Sequence, residues 1–262
     1  MKLIKNSHVI VLGSGPSVKK CWSRIKYFIL KNKDIVTFGC NNIINFITPD
    51  YHFWGSKKRW LKFAKDMDKN TILVVASHFP KDVIKKYWNR KYKTFNVVQR
   101  KWKPHYEDNC ERCKVYYKNK KMFGCFRDIS SCAIFYAYIY GARKISVVGN
   151  DGYTLYSEKD IKHRTMNLHC YGNGYTEPYT YAYCRFEDWE KYRSLRLLHK
   201  YGEKKYGFGF EILTPTIFDK FFNPVPLNIE KDNTIQKWVE PSSQKEKLKL
   251  FKSRKIKWRI KS

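Results

Sequence analysis

Acidic residues are scarce. Of 262 residues only 23 are Asp or Glu, against 53 Lys or Arg, leaving a formal charge of +30. Such a field gathers polyanions (nucleic acid, anionic lipid, phosphorylated ligands) and does not by itself specify a fold. Part of the excess is compositional, since Lys, Asn, Ile, Tyr and Phe are abundant together, as in chains encoded by AT-rich DNA. Long apolar runs are missing too. None approaches the ~18–20 residues that a membrane-spanning helix needs, and the longest lies near Ile134 to Tyr140. The opening MKLIKNSHVIVLGSG has no long apolar segment and no small-residue cleavage site. A cytoplasmic protein is therefore expected, at most peripheral to the inner face of a membrane. Eight cysteines scattered over a long chain are expected to be free thiols. Cys110-x-x-Cys113, with Cys125 and His105, holds half of a structural zinc pattern without a clear fourth ligand, and no metal is expected. Apolar side chains are plentiful at 43%, with 17% aromatic, which excludes disorder over the whole length.

Short apolar runs alternate with helix-like stretches. Residues 8–13, 34–42, 51–55, 71–77, 94–99, 144–151 and 210–215 read as strands. Residues 17–31, 81–92, 130–141 and 186–207 read as helices, and 57–66 as a basic amphipathic segment. The strands lack apolar–polar alternation, as expected when helices cover both faces. The pattern predicts an α/β fold: a Rossmann-like parallel sheet flanked by helices, with a small lid segment. One α/β domain is expected over 1–223. Within it, an irregular stretch at about 100–125 reads as an insertion and the tyrosine-rich stretch at about 152–186 as a lid. Residues 224–262 read as a basic C-terminal extension.

Four segments carry candidate chemistry. In VIVLGSGPS a strand ends in Gly13, Ser14, Gly15, Pro16 and Ser17 and opens a helix. Glycine permits close backbone approach to a ligand, and helix-start N–H groups favour an anion. The third glycine of the dinucleotide fingerprint and the GK[ST] of a P-loop are both absent. A tight turn with Ser17 as helix cap is the plainer alternative. Asn41 and Asn42 follow the second strand, where a carboxamide offers both donor and acceptor to a ribose, base or sugar. Arg127, Ser130 and Ser131 stand at the start of a later helix, suited to a charge-assisted contact and hydroxyl donors. Gly149, Asp151 and Tyr153 lie past the end of the next strand, where parallel sheets take ligands.

In their order and spacing, GSGPS, FGCNN, RDISSC and VGNDGY resemble the bacterial family-42 sialyltransferases. Those carry G-N-G-P-S, C-N, R-x-T-S and G-x-D-x-Y. The same scaffold is similar to archaeal-type hydroxymethylpterin pyrophosphokinase and the motility-associated flagellin glycosyltransferases. The first resemblance implies a metal-independent glycosyltransferase that needs no cofactor and uses a CMP-sugar as donor substrate. It implies that Gly13, Ser14, Gly15, Ser17, Asn41, Asn42, Arg127, Ser130, Ser131, Gly149 and Asp151 bind the donor. Tyr153 would stabilise the leaving phosphate, with Tyr156 as a second tyrosine at a displaced spacing. The family's general-base histidine has no counterpart just before the helix at Glu187. His169 is the expected substitute, with His163 also nearby.

Tyr153, Tyr156, Tyr171, Tyr175, Tyr179, Tyr181 and Tyr183 offer flat faces suited to a closing lid. From Lys245 to Ser262 basic residues alternate with Leu248, Leu250, Phe251, Ile256, Trp258 and Ile260, a pattern for an anionic membrane surface. The expected partners are a nucleotide-sugar donor, a glycan or glycolipid acceptor and that membrane. Nucleic acid is not expected, because no RNP, KH or zinc-knuckle signature is present. A homo-oligomer is an open alternative. So are a Mg²⁺-dependent pyrophosphokinase-like enzyme and a non-catalytic basic nucleic-acid or membrane binder.

Overall fold

The structure, a computed structural model, describes residues 2–99, 114–155, 169–170, 180–230, 238–241 and 243–253. In chain order its strands are β1 (His8–Leu12), β2 (Ile35–Cys40), β3 (Tyr51–Trp54), β4 (Ile72–Ala76), β5 (Lys93–Phe95), β6 (Val97–Gln99), β7 (Tyr116–Lys118), β8 (Lys121–Gly124), β9 (Lys144–Val148) and β10 (Glu211–Ile212). The helices are α1 (Ser17–Lys31), α2 (Lys57–Phe63), α3 (Lys81–Lys85), α4 (Ile129–Ile139), α5 (Tyr181–Tyr206) and α6 (Gln244–Ser253). Seven strands form a parallel sheet in the order β10-β9-β1-β2-β3-β4-β5, flanked by helices in a Rossmann-like α/β arrangement. The order runs outward from β1 to β5, then returns to lay β9 and β10 on the other side. The reversal falls between β1 and β9, the place where open parallel sheets take ligands.

Both sheet faces are covered, and the residues of β1 show how. Val9 and Val11 join one core with Val36, Phe38 and Val147. Ile10 and Leu12, pointing the other way, join a second core with Ile35, Val148 and Leu213. α1 serves the second core through Val18, Cys21, Trp22, Ile25, Phe28 and Ile29, the recurrence of an amphipathic helix. α4 is apolar on every side, and Ser130 to Tyr138 are all buried, because it lies between the sheet and α5. Among the described residues no helix is long and apolar enough to cross a membrane.

Four stretches differ from the sequence reading. The helix expected from 186 begins at Tyr181, so the last turn and a half of the expected lid belongs to α5. The expected strand at 94–99 is two strands, β5 closing the large sheet and β6 opening a small one ordered β6-β8-β7. The helix expected over 81–92 stops at Lys85, after which buried Trp88 packs inward. The described end of the supposed insertion is a hairpin, β7–β8, turning on Asn119 and Lys120 with φ of 51° and 57°. Two successive positive φ values are what a two-residue hairpin turn requires. The C-terminal segment is not detached. Trp238 N–H donates to Ile217 O at 2.9 Å, and Leu250 packs on Phe186 and Trp189 of α5.

The turn after β9 fixes the sheet's upper end. Gly149 has φ +69°, and a Cβ there would stand 2.4 Å from Val18 Cγ2 and 2.9 Å from Gly13 O. Gly149→Ala should therefore cost about 2–4 kcal/mol in urea unfolding, combining left-handed strain with overpacking. Gly207→Ala, at φ +81° but with nothing within 4 Å, should cost only about 1 kcal/mol. Equal losses at the two positions would contradict this packing.

Candidate functional site

The turns after β1 and β9 meet backbone to backbone. Gly13 N–H donates to Val148 O (2.8 Å) and Gly15 N–H to Gly149 O (2.9 Å). Asp151 then reaches back to the start of α1. Its Oδ2 accepts from Ser17 N–H at 2.7 Å and its Oδ1 from Ser17 Oγ at 2.5 Å. Pro16 stands at the N-cap of α1 and offers no side-chain cap, so the carboxylate takes the positive end of the helix dipole. α4 repeats the device with its own N-cap. Asp128 Oδ1 accepts from Ser131 N–H (2.7 Å), Ser130 Oγ (2.8 Å) and Ser131 Oγ (2.8 Å). The sequence suggested that these helix starts offer free donors to a ligand anion. In the structure, carboxylates of the chain itself accept from Ser17, Ser130 and Ser131.

The four motif turns border one cleft of about 420 Å³, within the range of small-molecule sites. Gly13, Ser14, Gly15, Asn41, Arg127, Ser130, Gly149, Asp151, Tyr153 and His169 all open onto it. Ser17, Asn42 and Ser131 are buried behind its wall and do not border it. Tyr156 and His163 lie outside the described residues, as do Cys110, Cys113 and the tail beyond 253. Among the described residues no group of three or more His, Cys, Asp or Glu side chains could hold a metal ion.

His169 is 7% exposed and sits between two partners. Its Nδ1 is 3.4 Å from Ser14 Oγ and its Nε2 is 3.4 Å from an Arg59 guanidinium nitrogen. A guanidinium only donates, so Nε2 accepts and the proton belongs on Nδ1, which donates to Ser14. The ring of Tyr153 stands edge-on to the imidazole, with centroids 6.3 Å apart. Tyr153 itself is set by α5, where fully buried Asp188 accepts from the N–H groups of Tyr153 (2.8 Å) and Thr154 (2.7 Å). Asn41 adopts φ +54°. Buried His52 secures that shape by donating Nε2–H to Asn41 O at 2.5 Å. Burial drives His52 down to about 4, against the bond to Asn41, so the ring stays neutral near pH 7.

The cleft is far less basic than the chain. Arg59, Arg127 and Lys191 face it, and so do Asp128, Asp151 and Glu187. Arg127, expected to meet a ligand anion, donates through Nε to Glu187 at 2.8 Å and lies 3.0 Å from Glu190. Burial works against its charge, but Glu187 and Glu190 outweigh that and raise its pKa. Burial likewise pushes Asp128 upward, yet Lys191 at 3.5 Å and the donors of Ser130 and Ser131 hold it below the usual carboxylate range. At Asp151 burial prevails over the Ser17 bonds and takes the carboxyl up to about 6. Sequence reasoning missed Arg59, His78, Asp128, Glu187 and Lys191 at the cleft and Asp188 beneath it. Asp128 stood inside the motif RDISSC, where an Asp directly before an apolar, helix-length run is an N-cap signal. Arg59 and Lys191 carried no local signal, because only the fold brings α2 and α5 to the β1 turn.

No model of a known protein family matches the chain, and no curated protein matches it.

An acid whose folded pKa is raised contributes stability below its unfolded value and loses it as pH rises through the folded one. Unfolded Asp titrates near ~3.9. Measured against Asp151→Asn, the wild type should gain about 2 kcal/mol of unfolding free energy on going from pH 8 to pH 4. Most of the gain should fall between pH 6 and 4. Parallel stability–pH curves for the two proteins would contradict the assignment.

Proposed function

We propose that the chain is a sialyltransferase-like glycosyltransferase, moving a nonulosonic acid from a CMP donor to a hydroxyl of a glycan or glycolipid. The observation that carries this reading is the convergence of the four motif turns on one cleft at the β1/β9 reversal. Asn41 offers its carboxamide to the nucleotide from a fixed backbone. Ser14 supplies a hydroxyl donor, Ser130, whose proton goes to Asp128, supplies only an acceptor oxygen, and Arg59 and Lys191 supply positive charge. Three cations balanced by three carboxylates suit a donor with a single phosphodiester better than a polyphosphate.

The chemistry is displacement at the anomeric carbon. The acceptor oxygen forms the new glycosidic bond as the bond to the phosphate oxygen breaks, and CMP leaves with the electron pair. Tyr153 donates a hydrogen bond to the charge that develops on that oxygen. His169 takes the acceptor proton at Nε2. Its contact with Arg59, 3.4 Å, is at the outer limit of a hydrogen bond, so an incoming hydroxyl can replace it. His78, exposed at the cleft mouth beyond β4, is a second imidazole within the site. On the tail side, Lys245, Lys249 and Lys252 are exposed on α6 while Leu250 anchors it to α5. That arrangement suits contact with an anionic membrane.

CMP at about 100 times its dissociation constant should stabilise the protein by about 2.7 kcal/mol, raising Tm by roughly 5–10 °C, with or without EDTA. Asn41→Gly keeps the backbone shape and removes the carboxamide, and should weaken CMP about tenfold. His169→Ala should leave CMP binding intact and cut transfer from a CMP-sugar by about 10²–10⁴. Stabilisation by ATP only in the presence of Mg²⁺ would reject the proposal in favour of a pyrophosphokinase. No response to any nucleotide would reject it in favour of a binding protein.

A further inference from the structure

A second concavity, of about 1240 Å³, lies along the C-terminal half of α5, away from the cleft. Among the described residues its walls carry Lys114, Arg196, Lys200, Lys204, Lys205 and Lys220 against a single carboxylate, Glu203, which pairs with His199 at 3.4 Å. Half of its twelve lining residues are Lys or Arg, whereas 53 of 262 are in the whole chain, so the groove concentrates the charge rather than sampling it. Lys200, Lys204, Lys205 and Lys220 are exposed. Arg196, Lys200 and Lys204 recur at intervals of four, which places them on one helix face ~6 Å apart along the axis. That makes a row of charges suited to an extended anionic chain rather than a point anion.

The kind of chain follows from the groove's other groups. Tyr116 is stacked on Phe123, with centroids 4.6 Å apart. Tyr201 meets Phe135 edge-on and is covered by Lys205. These rings are engaged within the protein, which disfavours the base stacking that single-stranded nucleic acid uses. The cations are almost all lysine, point charges without the planar fork that Arg presents to phosphate. Arg196 is held by Glu240 at 3.6 Å. We propose that this groove binds a linear acidic polysaccharide. The charge row carries the anionic part of that assignment, and the choice of a glycan over other polyanions rests also on the transferase reading. Lys191 borders the cleft and Arg196 the groove, on different faces of the same helix.

The test separates a built groove from net charge. Binding of a fluorescent heparin-derived oligosaccharide is titrated over a range of salt concentrations. The proteins compared are the wild type, a groove variant (Lys200→Glu, Lys204→Glu, Lys220→Glu) and a variant of equal charge (Lys26→Glu, Lys31→Glu, Lys33→Glu) altered at exposed positions in and just after α1. The groove variant should lose at least about tenfold in affinity at low salt, and its slope of log K against log salt should fall by about 2–3. The control should change little, and CMP stabilisation should persist in both. Equal losses in the two variants, no loss in the groove variant, or no binding by the wild type would each overturn the proposal. Tighter groove-dependent binding of oligo(dT) would overturn it in favour of nucleic acid. Because oligosaccharide binding and the CMP shift are read separately, failure of the transferase reading stays distinguishable from failure of the groove.

Discussion

The contact between the β1 and β9 turns is the constraint on which the site depends. Gly15 N–H on Gly149 O, and Asp151 on both donors of Ser17, leave room for no side chain at position 15, where a Cβ would stand 2.6 Å from the Asp151 carboxyl. Two adjacent parallel strands are thereby tied at their carboxyl ends before the chain diverges into helices on opposite faces. The cleft opens where that divergence begins. Asn41, at the end of β2, and the α4 start face the same space because β2 neighbours β1 and α4 crosses the same strand ends.

Internal carboxylates at both helix starts change how the site meets a ligand. A glycine-rich turn before a helix ordinarily offers bare N–H groups to phosphate. Here Asp151 and Asp128 already satisfy donors of α1 and α4. Positive charge reaches the cleft instead from side chains of α2 and α5, Arg59 and Lys191, and each acidic lining residue offsets one cation. On the proposed reading, recognition would depend on hydrogen bonds at fixed positions, such as the carboxamide of Asn41, whose backbone carbonyl His52 holds, more than on field strength. The +30 of the whole chain is expressed elsewhere, along the exposed lysines of α5 and α6.

The sheet was legible because its strands are short, apolar and unalternating, which is the signature of burial on both faces, and because Gly13 and Gly149 punctuate their ends. Strand order was not legible; nothing local in ILVVA or KISVV names its neighbour. The β7–β8 hairpin escaped notice because Lys120 is a poor match for a positive-φ turn position, although Asn119 beside it is a good one. Of the candidate site residues, Gly13, Asn41, Gly149 and Asp151 at strand ends border the cleft, whereas Ser17 and Ser131 turn inward and donate to Asp151 and Asp128. The long-range partners Arg59, Lys191 and Asp188 became visible only with the fold, since helical periodicity gives which face is buried and not what that face meets.

The central claim is that the turns at 13–18, 40–43, 127–131 and 149–153 form one ligand site. Amide hydrogen exchange, compared with and without saturating CMP, addresses it most directly. The account predicts slowed exchange in all four segments together, at the same nucleotide concentration. Protection confined to one segment, or centred on the lysine groove of α5, would contradict it.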